Sequence, residues 1–273
     1  MGDLLQLSDL QLCYGSQNVA CPINATFRRG WINLIVGRTG TGKSTLLRTI
    51  AGFHDDFSGK IELDGSKLKS EGNIALAFQN PENLFFNPSV GEEICYALNQ
   101  KGLEKKKAEE LGKTWLDRWG LDPEKFWFKH PLELSGGEKR KVALSACTVL
   151  LPEIILLDEP LAGIDFCGQV RLLEILDELA KEHIVIIVTH DPEMLLASSS
   201  RVLFLAEDKV EQLSVNEFVR KALENTWYYP LPEWYSQALK RHVSEARFPK
   251  VNARSVYKFI KGMAGNGDYL FSG

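Results

Sequence analysis

No stretch of these 273 residues approaches the ~20 consecutive apolar residues that would span a bilayer. If the protein works at a membrane, another chain must provide the membrane part. Cysteine is sparse and unpaired in pattern. Cys13, Cys21, Cys95, Cys147 and Cys167 are odd in number and include no Cys-x-x-Cys, so neither a disulfide framework nor a zinc site is expected and a reducing cytosol fits. The first twelve residues carry Asp3 and Asp9 and lack a basic stretch followed by an apolar one, which argues against a signal peptide. An excess of positive charge is missing too. A net charge of −4 and a pI near 5.8 weigh against a nucleic-acid partner, and the short run Lys105-Lys106-Lys107 reads as a solvated helix face. Neither internal repeats nor low-complexity tracts occur.

What is present is an ordinary globular composition, 44% apolar and 25% charged, in a chain long enough for a full α/β core. Residues 32–36, 74–78, 154–157 and 184–188 are short, apolar at nearly every position and rich in β-branched side chains or Leu. Strands covered on both faces of a parallel sheet read this way. Between them lies helical periodicity: in 171–181, Leu172, Leu173, Leu176 and Leu179 form one stripe opposite Glu174, Asp177 and Glu178. Strands alternating with helices predict an α/β fold. The first sixty or so residues, with the Gly59-to-Gly65 stretch, read as short antiparallel strands. From Val90 to about Leu150 the signal is helical, with Ala108, Leu111, Trp115 and Trp119 at helical spacing, which predicts a helical insertion. The main domain is placed at 1–210 and a small helical extension at 211–273. The latter's Trp227-Tyr228-Tyr229-Pro230 and Trp234-Tyr235 either cap the domain or cover a partner surface.

Gly37-Arg38-Thr39-Gly40-Thr41-Gly42-Lys43-Ser44-Thr45 follows a predicted strand and precedes a predicted helix. That is the P-loop pattern in its required context. Its glycines let backbone N–H groups curl around a β-phosphate, and a helix N-terminus adds a favourable dipole. Lys43 brings a charge to the β/γ-phosphates and the Ser44 hydroxyl can ligate Mg²⁺, so ATP and Mg²⁺ are the expected cofactors. Further on, a buried strand runs out into Asp158-Glu159-Pro160. Asp158 is placed to hold Mg²⁺, directly or through water, and Glu159 to polarise the attacking water as general base.

Leu134-Ser135-Gly136-Gly137-Glu138-Lys139-Arg140 opens a helix, with Ser135 as N-cap and exposed glycine N–H groups forming a second anion site. The string resembles the signature of the ABC ATPase superfamily. The resemblance covers roughly residues 4–210 and implies a P-loop ABC ATPase fold: a RecA-like parallel-sheet core, an antiparallel β subdomain, a helical subdomain at about 90–150 and a short C-terminal helical extension. It also implies roles. Gln79 resembles the Q-loop glutamine that contacts Mg²⁺ and the water, and Leu161-Ala162-Gly163-Ile164-Asp165 resembles the D-loop at the dimer interface. His190 resembles the switch histidine on the γ-phosphate, and Tyr14 sits at the spacing of the aromatic that stacks on adenine. In such proteins two domains associate head to tail, each ATP lying between the P-loop of one and the Ser135-Gly136-Gly137 loop of the other.

The run Phe78-Gln79-Asn80-Pro81-Glu82-Asn83-Leu84-Phe85-Phe86-Asn87-Pro88-Ser89-Val90-Gly91-Glu92-Glu93-Ile94 is similar to the energy-coupling factor (ECF) ATPases of metal-ion and vitamin importers. The P-loop with Thr39 also resembles that branch. Two positions depart from it: Leu84 stands where many relatives have Gln, and Leu161 replaces a small polar residue. The resemblance implies a second ATPase subunit, identical or a sister, and a polytopic membrane subunit as partners, at the cytoplasmic face of the membrane. A different ABC transporter subfamily is the alternative. A soluble ABC ATPase on DNA or ribosomes fits less, since the chain has one cassette and no long coiled coil between Lys43 and Ser135.

Overall fold

The computed structural model describes residues 2–14, 17–18, 21–69, 74–196, 198–206 and 208–224. Strands β1 (Leu4–Tyr14), β2 (Gln17–Asn18), β3 (Ile23–Arg28) and β4 (Ile32–Gly37) lead into helix α1 (Lys43–Ile50), followed by β5 (Phe57–Leu63), β6 (Ser66–Lys67) and β7 (Ile74–Ala77). Helices α2 (Val90–Gln100), α3 (Lys105–Arg118), α4 (Pro123–Phe126) and α5 (Gly136–Thr148) come next. The chain then returns through β8 (Ile154–Asp158), α6 (Phe166–Glu182), β9 (Ile184–Thr189), α7 (Glu193–Leu196), β10 (Ser199–Leu205), β11 (Val210–Ser214) and α8 (Val215–Glu224).

The main sheet runs β11-β10-β4-β9-β8-β7, parallel except for the β10–β11 pair. Strands β4, β8 and β9 are buried at every residue, as their unbroken apolar runs require. Successive side chains feed two separate cores. Leu34, Ile155, Leu157, Val185 and Ile187 enter one with α6, α8 and the helical insertion; Ile35, Ile154, Leu156, Ile184 and Ile186 enter the other with α1 and the antiparallel strands. Asn33 is the polar exception at 2% exposure. Its amide is satisfied by accepting from Arg28 N–H and donating to the carbonyls of Arg28, Trp31 and Val185, which locks the β3–β4 turn against β9.

The second sheet is antiparallel and built on β1, which pairs with β2, β3 and β5. A bulge interrupts β1 at Asp9, a non-glycine residue at φ 47°, where the carbonyl of Asp9 closes on Gly59. The Gln212 side chain ties this sheet to the main one: it accepts from Thr26 N–H at 3.0 Å and donates to Thr26 O at 2.6 Å.

Past residue 210 the chain remains continuous with the core through Glu224, because β11 is a strand of the main sheet and α8 buries Phe218, Val219 and Ala222 beside it. The extension drawn from 211 therefore begins inside a strand, and its Trp and Tyr residues lie outside the described residues. In the insertion, Leu111 differs from its expected place in the buried stripe. It is 51% exposed, and the buried face of α3 is Ala108, Gly112, Trp115 and Leu116. The stripe shifts because Trp127, from the turn after α4, inserts between α2 and α3. A Cβ on Gly91 would stand 2.4 Å from the Trp127 ring and one on Gly112 2.8 Å from it, so both helices use glycine where the indole passes.

Gly91→Ala is accordingly expected to destabilise the protein by about 1–3 kcal/mol through overpacking. Gly136→Ala, whose Cβ would meet nothing within 4 Å, serves as the control. Urea unfolding compares the two; equal midpoints would show that the Trp127 contact is not limiting.

Candidate functional site

Strands β4, β9 and β8 are neighbours with aligned carboxyl ends: Val36 pairs with Thr189 and Asp158 with Val188. What leaves these ends therefore converges, and a cleft of about 280 Å³ opens there, lined by Thr39, Gly40, Gly42, Lys43, Ser44, Thr45, Gln79, Asp158, Glu159, Val188 and His190. Gly37 belongs to the last position of β4, where a Cβ would sit 2.1 Å from Leu205 O on the adjacent strand. Gly40 and Gly42 hold φ 88° and 89°, the left-handed region that turns the loop into α1. Thr41 is buried and its hydroxyl donates to Arg38 O at 2.9 Å, fixing the loop from within.

Lys43 is folded back on its own loop, donating to Gly37 O and Arg38 O at 2.8 Å each. Burial pulls its pKa down, opposed by Glu159 and Asp158. Burial pushes the Asp158 carboxyl up, while a hydrogen bond from Ser44 and the charge on Lys43 pull it back. Each charge is thus costly alone and offset by its neighbour. The Ser44 hydroxyl and Asp158 carboxylate, brought together from two elements, are the hard oxygen donors that suit Mg²⁺. Among the described residues no cluster of three or more His, Cys, Asp or Glu could hold a metal. Mg²⁺ is compatible with so small a protein donor set because it takes most of its ligands from phosphate and water.

Glu159 occupies the turn immediately beyond β8 at φ 50°, a sparsely populated conformation for a non-glycine residue that costs of order 1–3 kcal/mol. Its side chain is tethered. Oε2 accepts from the Thr189 hydroxyl at 2.9 Å, and Oε1 accepts from His190 N–H at 2.8 Å and Nδ1 at 2.6 Å. The His190 side chain is 53% exposed, and its Nε2 lies 3.4 Å from the Asp191 carboxylate. The Glu159 hydrogen bond raises its pKa above the ordinary 6.5, against a smaller lowering by burial. Gln79 is exposed at the rim, two residues past β7, which ends at Ala77 rather than at Phe78.

The other expected site residues stand apart. Ser135 caps α5, accepting from Glu138 N–H at 3.4 Å while the Glu138 carboxylate takes Ser135 N–H at 2.8 Å. Gly136 and Gly137 follow in the open, and none of the three lines the cleft. Asp165 is exposed and caps α6, accepting from Gly168 N–H at 2.7 Å. Tyr14 ends β1, and its side chain lies outside the described residues.

One residue passed over in the sequence occupies the centre of the arrangement. Arg140, on the second turn of α5, is 3% exposed and donates to the carbonyls of Gln79 and Glu159 in close contacts. Longer bonds of 3.4 Å reach Asp158 O, Pro160 O and the Glu82 carboxylate. Nothing local in the sequence marks it, because the groups it binds come from other segments of the chain.

Because the folded-state pKa of His190 is raised, the stability of the pair is fully present below the unfolded value and is lost as pH rises through the folded one. The His190 imidazole resonances are therefore expected to titrate above 6.5 and to fall back towards that value in Glu159→Gln. An unchanged titration in that variant would place the partner elsewhere.

A family profile described as ABC transporter matches residues 21–162. The energy-coupling factor transporter ATP-binding protein EcfA2 of Thermotoga maritima is 38% identical over 199 residues, 71% of this chain and 72% of that one. EcfA2 of Leuconostoc mesenteroides is 33% identical over 206 residues, again 71% and 72%. Among solved structures, cbiO1 of Clostridium perfringens, described as part of the ABC transporter complex cbiONQ, superposes with a TM-score of 0.71 at 28% identity, covering 82% of this chain and 96% of its own. A dimeric cassette, MJ0796, described as bound to ADP and Pi, superposes at 0.69 with 23% identity and attests the fold. The parallel sheet with its phosphate loop, acidic strand end and capped signature helix thus has its counterpart in known cassettes, and the chain belongs to the ABC transporter ATP-binding family, as an ATP hydrolase of the energy-coupling factor type.

Proposed function

We propose that this chain is the motor of a membrane importer of the ECF type, working at the cytoplasmic face as one half of a head-to-tail dimer. The observation that carries the dimer is the pair Gly136 and Gly137. Neither has a positive φ, and a Cβ on either would meet nothing within 4 Å. Among the described residues nothing requires glycine there, which supports an approach from outside, by a phosphate and a second subunit, to the N–H groups of α5.

In this reading Lys43 leaves its own carbonyls for the β/γ-phosphates, and Ser44 and Asp158, with Gln79 at the rim, hold Mg²⁺. The ion supplies charge neutralisation on the transferring phosphoryl group. Glu159 orients and deprotonates the attacking water. For that, its carboxylate must exchange the bonds from His190 for one from the water, which frees the imidazole to donate to the γ-phosphate. Tyr14 against the base and Asp165 across the interface complete the set.

The membrane partner is supported by exposed apolar side chains that lie near Gln79 in sequence or pack on its neighbour Phe78. Phe53, Leu84, Phe86 and Tyr96 are 70%, 58%, 65% and 44% exposed, and Phe86 meets Tyr96 edge-on with ring centroids 4.8 Å apart. Among the described residues no helix is long and apolar enough to cross a membrane. Exposed apolar side chains of this kind suit contact with helices of another subunit.

Glu159→Gln is expected to bind ATP, hydrolyse it about 100-fold or more slowly and accumulate as a dimer by light scattering. Rapid turnover would assign the base to another group. Gentle detergent extraction of native membranes with capture through this chain is expected to recover a small polytopic subunit, with or without a sister ATPase. Recovery of a conventional permease instead would move the chain to another transporter subfamily, and recovery of ribosomes, DNA or nothing would end the transport reading.

A further inference from the structure

The turn that carries the general base is strained, and nucleotide contacts do not account for what holds it. Glu159 keeps φ 50°, and the carbonyls of Asp158, Glu159 and Pro160 all turn towards one guanidinium, joined by that of Gln79. Arg140 is suited to this by shape. Its planar fork spreads five donors over acceptors too far apart for a single ammonium. A cation this deeply buried is tolerated only if paired, and the carboxylate that its bonds reach is Glu82, at 3.4 Å. Burial lowers the Arg140 pKa, and of the groups opposing it Glu82 comes first.

Glu82 does not belong to the nucleotide cleft. It lies on the short 3₁₀ turn Pro81–Leu84, one-quarter exposed, two residues before the open Leu84. One guanidinium therefore touches α5, the 81–84 turn, the Gln79 backbone and the backbone of the base.

We propose that Arg140 is a positioning residue for the attack on ATP and that Glu82 sets its position, so that a displacement of the 81–84 turn is felt at Gln79 and Glu159. This rests on the ATPase reading and deepens it. A clasp that merely stapled α5 to the core would alter melting and leave turnover below the melting range unchanged. A positioning clasp alters turnover at constant nucleotide affinity.

The test is a double-mutant cycle on the full chain with Glu82→Gln, Arg140→Lys and their combination, reading kcat, KM, the Kd of a fluorescent ATP analogue and the melting temperature. Glu82→Gln is expected to lower the melting temperature, because it unpairs a buried cation, and, well below the melting range, to lower kcat about five-fold with Kd within about two-fold; Arg140→Lys is expected to lower kcat at least about twenty-fold. Added to Arg140→Lys, Glu82→Gln should then cost less than about two-fold, since the two act through one contact. Wild-type kcat in Glu82→Gln, or the same five-fold loss in both backgrounds, would overturn the proposal. If Arg140→Lys does not fold, Glu82→Asp decides: recovery of kcat above Glu82→Gln supports the charge contact, and none overturns it. Absence of any hydrolysis that Glu159→Gln abolishes would instead bring down the ATPase reading, a distinguishable failure.

Discussion

The aligned carboxyl ends of β4, β9 and β8 are the constraint on which the remaining features depend. Because both faces of these strands are sealed by separate apolar cores, their ends are the positions where polar groups can leave the apolar interior. The parallel pairing then sets Gly37, Asp158 and Thr189 at nearly one level, so that loop, carboxylate and imidazole leave the sheet together. A slip of one residue between β8 and β9 would turn every side chain of a strand to the opposite core. Between β4 and β9 the register has a polar check as well, because the buried Asn33 amide finds its acceptor on Val185 there.

Much of this was legible in the sequence because it is local. Unbroken apolar runs announce doubly covered strands, the phosphate loop announces itself by its glycines, and Ser135 is the N-cap that the string suggests. What escaped is non-local. Arg140 looks like any basic residue of a helix until the fold brings Gln79, Asp158, Glu159 and Pro160 around it from two other segments. Leu111 has the right spacing for burial, yet the buried face of α3 runs through Gly112, against which the Trp127 indole packs. Periodicity can tell which face of a helix is apolar, but not which part of that face a distant aromatic will claim.

The glycines make a similar division. At Gly37 the reason is a neighbouring carbonyl, at Gly91 a tryptophan, at Gly40 and Gly42 the left-handed backbone. At Gly136 and Gly137 none of these applies. Motifs single out some glycines in the sequence, but only the folded chain shows which have a reason within the described residues.

The closeness of Gly37 to Leu205 O has a bearing on synthesis. The phosphate loop is encoded early, but β4 is flanked by β9 and β10, both from the far end of the described chain. As the polypeptide emerges from the ribosome, the loop has no floor until those strands arrive, and such long-range parallel pairing is intrinsically slow. The nascent chain therefore carries its most recognisable motif unformed for most of its translation. A truncation before β10 would remove the strand beside the loop without touching a residue in it.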